Sequence, residues 1–592
     1  MDGALWLLIT IAVVALGYRY YASRVDRQVL QTDPRRATPA TMYQDGVDFM
    51  PASGSVLFGY QFKSIAALGP IVGPITAAQW GWLPAVLWLV IGVFFIGWVQ
   101  DYAAALLAMR NEGMTMGGLS YKLISPRART LLLAFLYFYL LLIMGAFGSI
   151  VAGLLANPKV PMGFLIMTLA GVLAGYLTYT LRRDLVMTTV VTVAIALIGI
   201  WLGTTPVLSN IAGFFNSLAG SGEQRVLYDS PYGPMTWPVF FWGIMALLFC
   251  YAGSVLPIWR FAQPVNYVSF WLVLFGMIGS IIGILIAALP GGASAAYGLK
   301  AFNTWDVAAL GPLWPILFVT ISCGAVSGWH SLVSTSGTAR QLEKETDALP
   351  VAGGAMYTEA VLGVLSLTFA ATAINFEPTR TMFENGVLKA GAGGVFAGGM
   401  ANFLAILGVP RDFGAAFGAA FLAIMALTVM QLVLRFMRVA MAELIGDSVP
   451  AVRNVHVGSW IGIAFTLLIL WTGFWQRIWV LFGGSNQLFA GLALLLITIW
   501  LAQQKKAFNW AFYPGVFMYV TTVAALLYTG VRAFQDAFKP DVAVPFIIGA
   551  VIAGLIAFFL VAAALLLAYD GLQSFNRARA AAPAAAGGAS AD

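Results

Sequence analysis

Charge is scarce in this sequence. Only 9% of its 592 residues are Asp, Glu, Lys or Arg, whereas 60% are hydrophobic. Apolar runs long enough to cross a bilayer recur along the chain far more often than a soluble core needs. The composition therefore excludes an ordinary soluble domain and predicts an all-α polytopic membrane protein.

Cysteine and histidine are also rare, with two of each. Cys250 and Cys323 both lie inside apolar segments, and no disulfide framework, metal-ligand cluster or haem-attachment motif is present. His330 and Ser334 are spaced one helical turn apart, but this is no convincing nucleophile–base pair. We therefore expect no catalytic residue, no metal and no cofactor, and we predict that the protein is not an enzyme.

The net charge of +7 would suggest a nucleic-acid partner in a soluble protein. Here most Lys and Arg residues flank apolar runs, as the positive-inside rule expects, so the predicted partner is the lipid bilayer and not nucleic acid. The first apolar segment follows Asp2 and precedes Arg19, Arg24 and Arg27, which reverses the charge order of a secretory signal. We expect it to remain as a membrane helix with its N-terminus outside.

The stretch from Lys63 to Gln79, KSIAALGPIVGPITAAQ, organises the rest of the chain. Gly69-Pro70 and Gly73-Pro74 repeat in an apolar segment, which predicts an interrupted membrane helix. Secondary transporters use such interruptions near the bilayer midplane, where half-helix N-termini hold anionic groups. The alternative is a kink that serves packing alone.

A second interruption is predicted in CYAGSVLPIW, where Gly253 and Pro257 fall in the span 237–258. Five spans separate the two predicted interruptions, which is the spacing of an inverted five-plus-five helix repeat. The two halves share no residue-level similarity, so this repeat rests on topology alone.

The predicted organisation has about fifteen spans at about 20 residues each, with the C-terminus inside. Segment 391–407 is predicted to be re-entrant or peripheral, because a crossing there would move the later basic residues outside. In chain order, the parts are an N-terminal helix (1–22), a cytoplasmic polar segment (23–61), the first repeat (62–204), an external loop (205–236), the second repeat with the re-entrant segment (237–437), four additional helices (438–569) and a cytoplasmic disordered tail (570–592).

A polar stripe marks the predicted helix at 311–335. Hydroxyls on this face are suited to coordinating Na⁺ or binding a carboxylate, or they serve close helix packing. His330 lies one turn from Ser327 and Ser334, and imidazole titrates near physiological pH, so it is a candidate for coupling or gating. The stripe consists of Thr320, Gly324, Ser327, Ser331, Ser334 and Thr338.

Two acidic residues lie within other apolar runs. Asp101 is a candidate proton carrier, with a capping or solvated role near the interface as the alternative. Glu359 is a second candidate, with a bond to a neighbouring helix as the alternative. Lys63 is expected to snorkel, and the amides of LFGGSNQLFAG predict either a helix-packing contact or a further local break.

Several motifs together resemble the carbon starvation protein A family of bacterial inner-membrane transporters. They are DGVDFMP, VLFGYQF, AALGPIVGPITAAQWGWLP, GWVQDY, ISCGAVSGWHSLVSTSGTARQLEKETDA and FGGSNQLFAG. The resemblance extends from about residue 43 to 500. It implies uptake of pyruvate or, in some members, peptides, driven by protons, and a fold of the amino acid-polyamine-organocation type with a five-plus-five repeat.

The residues to which the resemblance points lie in four of these motifs. They are Gly69, Pro70, Gly73, Pro74 and Gln79 in the first interruption, Gln100 and Asp101 in the next helix, Ser327, His330 and Ser334 in the serine-rich segment, and Asn486 and Gln487. Two departures from the family are Tyr60-Gln61, where a histidine pair is usual, and Lys63, where a small residue is usual.

The sequence thus predicts a secondary active importer of a small organic acid, most simply pyruvate, coupled to H⁺ or Na⁺. Its substrate would contact the Gly69–Pro74 half-helix and Gln79, Gly253 and Ser254, and the hydroxyls of Ser327, Ser331 and Ser334. Asp101, His330 and Glu359 would serve ion coupling or gating. A peptide transporter is the runner-up, and an uncoupled channel, a sensor or an intramembrane enzyme are alternatives of other classes.

Overall fold

The prediction of an all-α membrane protein is confirmed by a computed structural model that describes residues 2–219, 225–230, 233–291, 295–389, 391–472, 478–540 and 544–580. In these ranges, twelve helices are long and apolar enough to cross a membrane, and one bent pair of shorter helices makes a thirteenth candidate. Fifteen spans were predicted. The difference arises because segment 311–335 is interrupted and segment 458–476 forms only a shorter apolar helix within its described part.

The described helices, in chain order, are α1 (Asp2–Leu30), α2 (Pro39–Met42), α3 (Gly54–Ile65), α4 (Gly69–Ala77), α5 (Trp82–Met109), α6 (Met116–Leu123), α7 (Pro126–Leu155), α8 (Pro161–Thr180), α9 (Leu185–Gly203), α10 (Pro206–Ser217), α11 (Trp237–Val255), α12 (Ala262–Ala287), α13 (Leu313–Leu317 continued by Phe318–Thr320), α14 (Gly328–Ser336), α15 (Glu345–Asn375), α16 (Ala392–Ile406), α17 (Arg411–Ile445), α18 (Val455–Thr472), α19 (Ile478–Gln503), α20 (Asn509–Ala537) and α21 (Val544–Ala580).

Strands occur only as short hairpins in the described residues. The antiparallel pairs are β1 (Val226–Ser230) with β2 (Gly233–Thr236), β3 (Asp306–Val307) with β4 (Gly311–Pro312), and β5 (Phe383–Glu384) with β6 (Val387–Leu388). Each hairpin lies in a connection between helices.

The interior of the molecule is built around α15, α17 and α19. In their most apolar windows, 83% of the residues of α15 and 94% of those of α17 and α19 are buried, compared with 33% in α9 and α20. The outer helices therefore present apolar surface outward, as lipid-facing helices do. Inside, α7 packs along α17, and α14 packs between α5 and α19.

The predicted first interruption is present, but it lies just before the Gly-Pro repeat. Helix α3 ends at Ile65, α4 begins at Gly69, and the two are bent by 44°. Pro70 occupies the first turn of α4, where a missing N–H leaves no bond unmade, and Pro74 lies within the helix.

The predicted second interruption at Gly253 and Pro257 is wrong. Helix α11 runs through Gly253 to Val255, and Pro257 follows its end, where proline is common. Gly253 serves close packing instead, since a Cβ there would lie 2.5 Å from Cβ of Gln431.

The second interruption lies at 321–327, between α13 and α14, so the continuous polar helix predicted at 311–335 is also wrong. Gly324 in this segment has φ of +84°, a conformation that glycine adopts without a steric cost. Six long helices lie between the two interruptions, namely α5, α7, α8, α9, α11 and α12, whereas the predicted second interruption was in the fifth span after the first.

Several predicted boundaries shift. Helix α1 continues to Leu30 and α3 begins at Gly54, which shortens the polar segment between them, and α21 extends ten residues past 570 into the predicted disordered tail. Segment 391–407 forms the 15-residue helix α16, packed on α17, and its re-entrant or peripheral placement stays a prediction. Residues 220–224 and 231–232 of the predicted external loop, 473–476 of the predicted span 458–476 and 581–592 of the predicted tail lie outside the described residues.

Candidate functional site

The two interrupted helices lie against each other. Gln61 Nε2 in α3 donates a hydrogen bond to Ser334 Oγ in α14 at 3.0 Å. The indole N–H of Trp329 donates to the backbone oxygen of Ser64 at 2.6 Å. Because later residues of α3 contact earlier residues of α14, the two helices are antiparallel.

After the first interruption, two glycines of α4 allow the closest approach between the two interrupted helices. A Cβ on Gly69 would lie 2.4 Å from Cys323 Sγ, and one on Gly73 would lie 2.6 Å from the backbone oxygen of Thr320. Any side chain at these positions would push α4 away from the second interrupted helix. Gly69 and Gly73 therefore both face the second interrupted helix.

Side chains satisfy the carbonyl groups that the second interruption frees. Gln487 Nε2 donates to the backbone oxygen of Phe318 at 2.8 Å and to that of Ile321 at 3.2 Å. The indole N–H of Trp88 is shared by the same two oxygens, at 3.2 Å each. These bonds replace the intrahelical ones that the non-helical backbone lacks, which makes the interruption tolerable in an apolar interior.

Asn486 supports the other side of the same interruption. Its Oδ1 accepts from the backbone N–H of Trp329 at 3.0 Å and from the Tyr139 hydroxyl at 2.6 Å, and its Nδ2 donates to Ser327 Oγ at 3.0 Å. Helix α19 runs continuously through Asn486, so the helix-packing alternative, and not a further break, describes this motif.

The structure brings the three predicted ion-coupling residues into contact. His330 Nδ1 in α14 lies 3.0 Å from Asp101 Oδ2 in α5, within hydrogen-bond geometry. His330 Nε2 lies 3.2 Å from Glu359 Oε2 in α15, at ion-pair distance but without hydrogen-bond alignment. The three side chains are at most 1% exposed.

This triad suits the uptake of one positive charge. With the imidazole protonated and both carboxylates ionised, Asp101, His330 and Glu359 together carry one net negative charge. An uncompensated charge is costly in a buried site within a membrane protein. The addition of a single positive charge to the triad would cancel that net charge.

The predicted hydroxyls beside the triad are buried and hydrogen-bonded. Gln100 Nε2 donates to Ser331 Oγ at 2.7 Å and also to the backbone oxygen of Ser327. Cys323 Sγ lies 3.3 Å from Ser327 Oγ. Gln100 thus connects the helix that carries Asp101 to the helix that carries His330.

Cys323 was not predicted as a site residue, yet it lies beside the triad. One donor atom each from Cys323, His330 and Glu359 lie within 4.8 Å of one another, which is close enough for a shared metal ion. No metal-binding spacing motif in the sequence predicts this group, because Glu359 lies in α15, apart from Cys323 and His330.

Three predicted substrate-binding residues lie apart from the two interruptions. Gln79 follows α4, donates to the backbone oxygen of Thr76 and accepts from the backbone N–H of Leu388 in β6. Ser254 Oγ lies 2.8 Å from Ser459 Oγ, and Gly253 packs on α17.

Lys63 differs most from its predicted surroundings. It does not snorkel, since it has no exposed surface. Its Nζ donates to Thr428 Oγ1 at 2.6 Å and lies 3.4 Å from the backbone oxygen of Ile424. The nearer partner lies 365 residues away in sequence, so sequence patterns gave no signal for this contact.

Known proteins similar to this chain are transporters by name. "Peptide transporter CstA" of Escherichia coli K12 is 28% identical over 92% of this chain and 82% of its own length, and "Pyruvate/proton symporter BtsT" of the same organism is 27% identical over 90% and 82%. Among solved structures, an Eremococcus coleocola manganese transporter aligns with a TM-score of 0.44 at 13% identity, covering 90% of this chain and 99% of its own. MhsT in complex with L-phenylalanine aligns with a TM-score of 0.44 at 14% identity, covering 87% and 99%.

The family described as Carbon starvation protein CstA matches residues 2–382 and 376–525, which include both interrupted helices, all three residues of the triad and the amides that support the second interruption. The chain therefore belongs to the carbon starvation protein CstA family.

Proposed function

We propose that this protein is a secondary active importer of a small organic acid, with pyruvate as the first candidate, coupled to protons and working by alternating access. The buried contact among Asp101, His330 and Glu359 carries the proposal. Sodium is the alternative coupling ion, because it would bring the same single positive charge.

The triad is placed where ion binding can affect the shape of the molecule. Its members belong to three helices, α5, α14 and α15, and α14 is one half of the second interrupted helix. A charge that enters or leaves the triad changes the attraction among these helices. Coupling then follows if the two conformations of the transporter differ in how strongly they hold that charge.

The substrate site is proposed near the two interruptions. The N-terminal end of α4 at Gly69 to Pro74 and the hydroxyls of Ser327, Ser331 and Ser334 are the predicted contacts that lie there. Gly253 and Ser254 are left out, because α11 is not interrupted at these residues.

The relatives support two substrate classes. The relative named a pyruvate/proton symporter supports a small monocarboxylate and a proton, whereas those named peptide transporters support a short peptide as the second candidate. A peptide would require a larger cavity and an anionic partner for its amino terminus. We further propose the bacterial inner membrane as the location, with the N-terminus outside and the C-terminus in the cytoplasm.

The test is uptake of labelled pyruvate by the purified full-length protein in liposomes. A proton gradient, a sodium gradient and no gradient are compared, and empty liposomes are the control. Accumulation above equilibrium with the proton gradient alone is expected, and a protonophore should abolish it. Accumulation driven only by sodium would overturn the proton assignment, and accumulation of a labelled dipeptide but not of pyruvate would overturn the substrate assignment.

A further inference from the structure

A buried lysine side chain lies three residues before the first interruption. Lys63 is fully buried, and its ammonium nitrogen contacts two neutral oxygens of α17, Thr428 Oγ1 and the backbone oxygen of Ile424. No carboxylate of the described residues forms an ion pair with it. An ammonium group carries three N–H donors, and neutral acceptors only partly offset the free energy of removing its charge from water.

A second cation on the same face of α17 is already paired. Arg435 is 2% exposed, and it donates to Asp48 Oδ1 at 2.7 Å and to the backbone oxygen of Gly253 at 3.1 Å. Asp48 therefore compensates Arg435, whereas no carboxylate in the described part of the chain pairs with Lys63.

An unpartnered side-chain amide lies between Thr428 and Arg435 along α17. Gln431 is fully buried, and neither its Oε1 nor its Nε2 forms a hydrogen bond within the described residues. Positions 424, 428, 431 and 435 repeat at steps of four, three and four, so they share one face of α17. Buried polar groups are nearly always hydrogen-bonded, so this amide also points to a missing partner.

The chemistry of the missing partner follows from these groups. A free cation is disfavoured next to an uncompensated ammonium group. A carboxylate cancels one positive charge, and its two oxygens can accept from both an ammonium and an amide N–H.

We propose that Lys63 binds the carboxylate of the transported substrate, with Gln431 as the second donor, so that the substrate is a monoanion. Thr428 and the Ile424 carbonyl group are the present contacts of the Lys63 Nζ atom. This assignment rests on the proposed function, and it adds the residue that selects the substrate's charge.

The experiment measures how pyruvate and its neutral amide, pyruvamide, each shift the thermal unfolding of the purified full-length protein at increasing concentration. The variants are Lys63→Met, which removes the charge, Lys63→Arg, which keeps it, and Thr428→Val, which removes the resting partner. We expect Lys63→Met to weaken pyruvate binding by roughly 10- to 100-fold, the range for a charge-assisted hydrogen bond. Lys63→Arg and Thr428→Val should each keep an affinity for pyruvate within about threefold of that of the parent protein, a change of less than 1 kcal/mol in binding free energy.

The comparison of pyruvate with pyruvamide distinguishes a binding role of Lys63 from a role in packing. If Lys63 contacts the carboxylate, Lys63→Met weakens the binding of pyruvate and leaves the binding of pyruvamide unchanged. The preference of the protein for the anion over the neutral amide then falls. An equal loss for both ligands, or a loss in Thr428→Val as large as in Lys63→Met, would show that Lys63 only supports the fold and would overturn the proposal.

Two further results complete the test. If Lys63→Met does not fold, Gln431→Leu takes its place, and unchanged pyruvate affinity in that variant would reject the paired site. Unchanged affinity of a folded Lys63→Met, with uptake of pyruvate intact in the parent protein, overturns this inference alone. Failure of the parent protein to bind or transport pyruvate overturns the proposed substrate instead.

Discussion

A charged histidine between two carboxylates differs in net charge from a charged histidine paired with one carboxylate. His330 with Asp101 alone would form a neutral pair when both are charged, and such a pair needs no further ion. Glu359 adds the second carboxylate, at 3.2 Å from the imidazole, and it creates the net negative charge that a proton cancels. In the proposed mechanism, Glu359 is therefore the residue that creates the need for an incoming cation.

The first prediction concerns His330→Gln. The variant keeps hydrogen-bonding capacity but cannot carry the positive charge that both carboxylates face. We expect gradient-driven accumulation of pyruvate to fall by about tenfold or more, the effect of losing roughly 1.4 kcal/mol of charge interaction, whereas affinity for pyruvate changes little. Accumulation and binding are measured in the same preparation, and unchanged uphill transport would reject a coupling role for His330.

The second prediction concerns Glu359→Gln, which leaves Asp101 and His330 as a neutral pair. Since this pair needs no added proton, we expect pyruvate to equilibrate across the membrane without accumulating, at a rate that depends less on pH than in the parent protein. Counterflow of labelled pyruvate at several pH values measures this. Accumulation equal to that of the parent protein would contradict the role given to the second carboxylate.

Sequence reasoning reached the members of the triad but not their contact. Asp101, His330 and Glu359 each stood out as ionisable groups in apolar runs. Asp101 and His330 are 229 residues apart, and no motif spacing joins them, so only the packing of α5 against α14 brings them together. Lys63 was misjudged for a related reason, because its partner Thr428 lies 365 residues away in sequence and a lysine before the first interruption was expected to snorkel.

At the scale of elements, the two interrupted helices depend on small residues for their contact and on side-chain amides for their stability. The Gly-Pro repeat revealed the first interruption, because proline and glycine leave a visible mark in an apolar run. The second interruption contains Gly324 without a proline, and its supporting amides lie in α19, more than a hundred residues later. Gly253 misled the prediction, because glycine also serves close packing within an intact helix.

The third prediction compares two Gly→Ala substitutions. Gly73→Ala places a Cβ 2.6 Å from the Thr320 carbonyl oxygen, so we expect a loss of about 1–3 kcal/mol of stability, as for other overpacked sites, together with weaker pyruvate binding. The control is Gly153→Ala in α7, which has nothing within 4 Å of the added Cβ and should be neutral or slightly stabilising. Thermal unfolding in detergent measures both, and equal behaviour of the two variants would refute the tight contact.

The fourth prediction tests the support that α19 provides. Asn486→Ala leaves the N–H of Trp329 and the hydroxyl of Tyr139 without their acceptor, which should cost about 1–3 kcal/mol. Gln503→Ala, at the exposed end of the same helix, is the matched control and should unfold like the parent protein. A normal melting temperature for Asn486→Ala would show that the second interruption does not need this amide.

At the scale of the whole molecule, the helical membrane class followed from composition, while the arrangement of helices did not. Hydropathy located thirteen of the predicted spans, because a lipid-crossing helix must be long and apolar. It gave no information on which helices surround the interrupted pair, since outer and inner helices are similarly apolar. The enclosure of α17 and α19 and the exposure of α9 and α20 emerge only from tertiary packing.

The fifth prediction concerns orientation in the membrane. Both native cysteines, Cys250 and Cys323, are buried, so a single introduced cysteine can be labelled over a low background. Tyr43→Cys and Trp305→Cys, at two exposed positions, should react from opposite sides. We expect a membrane-impermeant thiol reagent added to intact cells to label Trp305→Cys only, because the basic flanks place residue 43 in the cytoplasm. Labelling of Tyr43→Cys instead would invert the topology.

The amides of α19 also set a lower limit on how far the chain can be shortened. A minimal transporter designed to end after the second predicted repeat, at residue 437, would lose Asn486 and Gln487. The backbone oxygens of Phe318 and Ile321 would then lose their Gln487 partner, and the start of α14 would lose its acceptor. Helix α19 is thus part of the structure that holds the second interruption, and a shortened version of this protein must retain α19 or supply a substitute for its two amides.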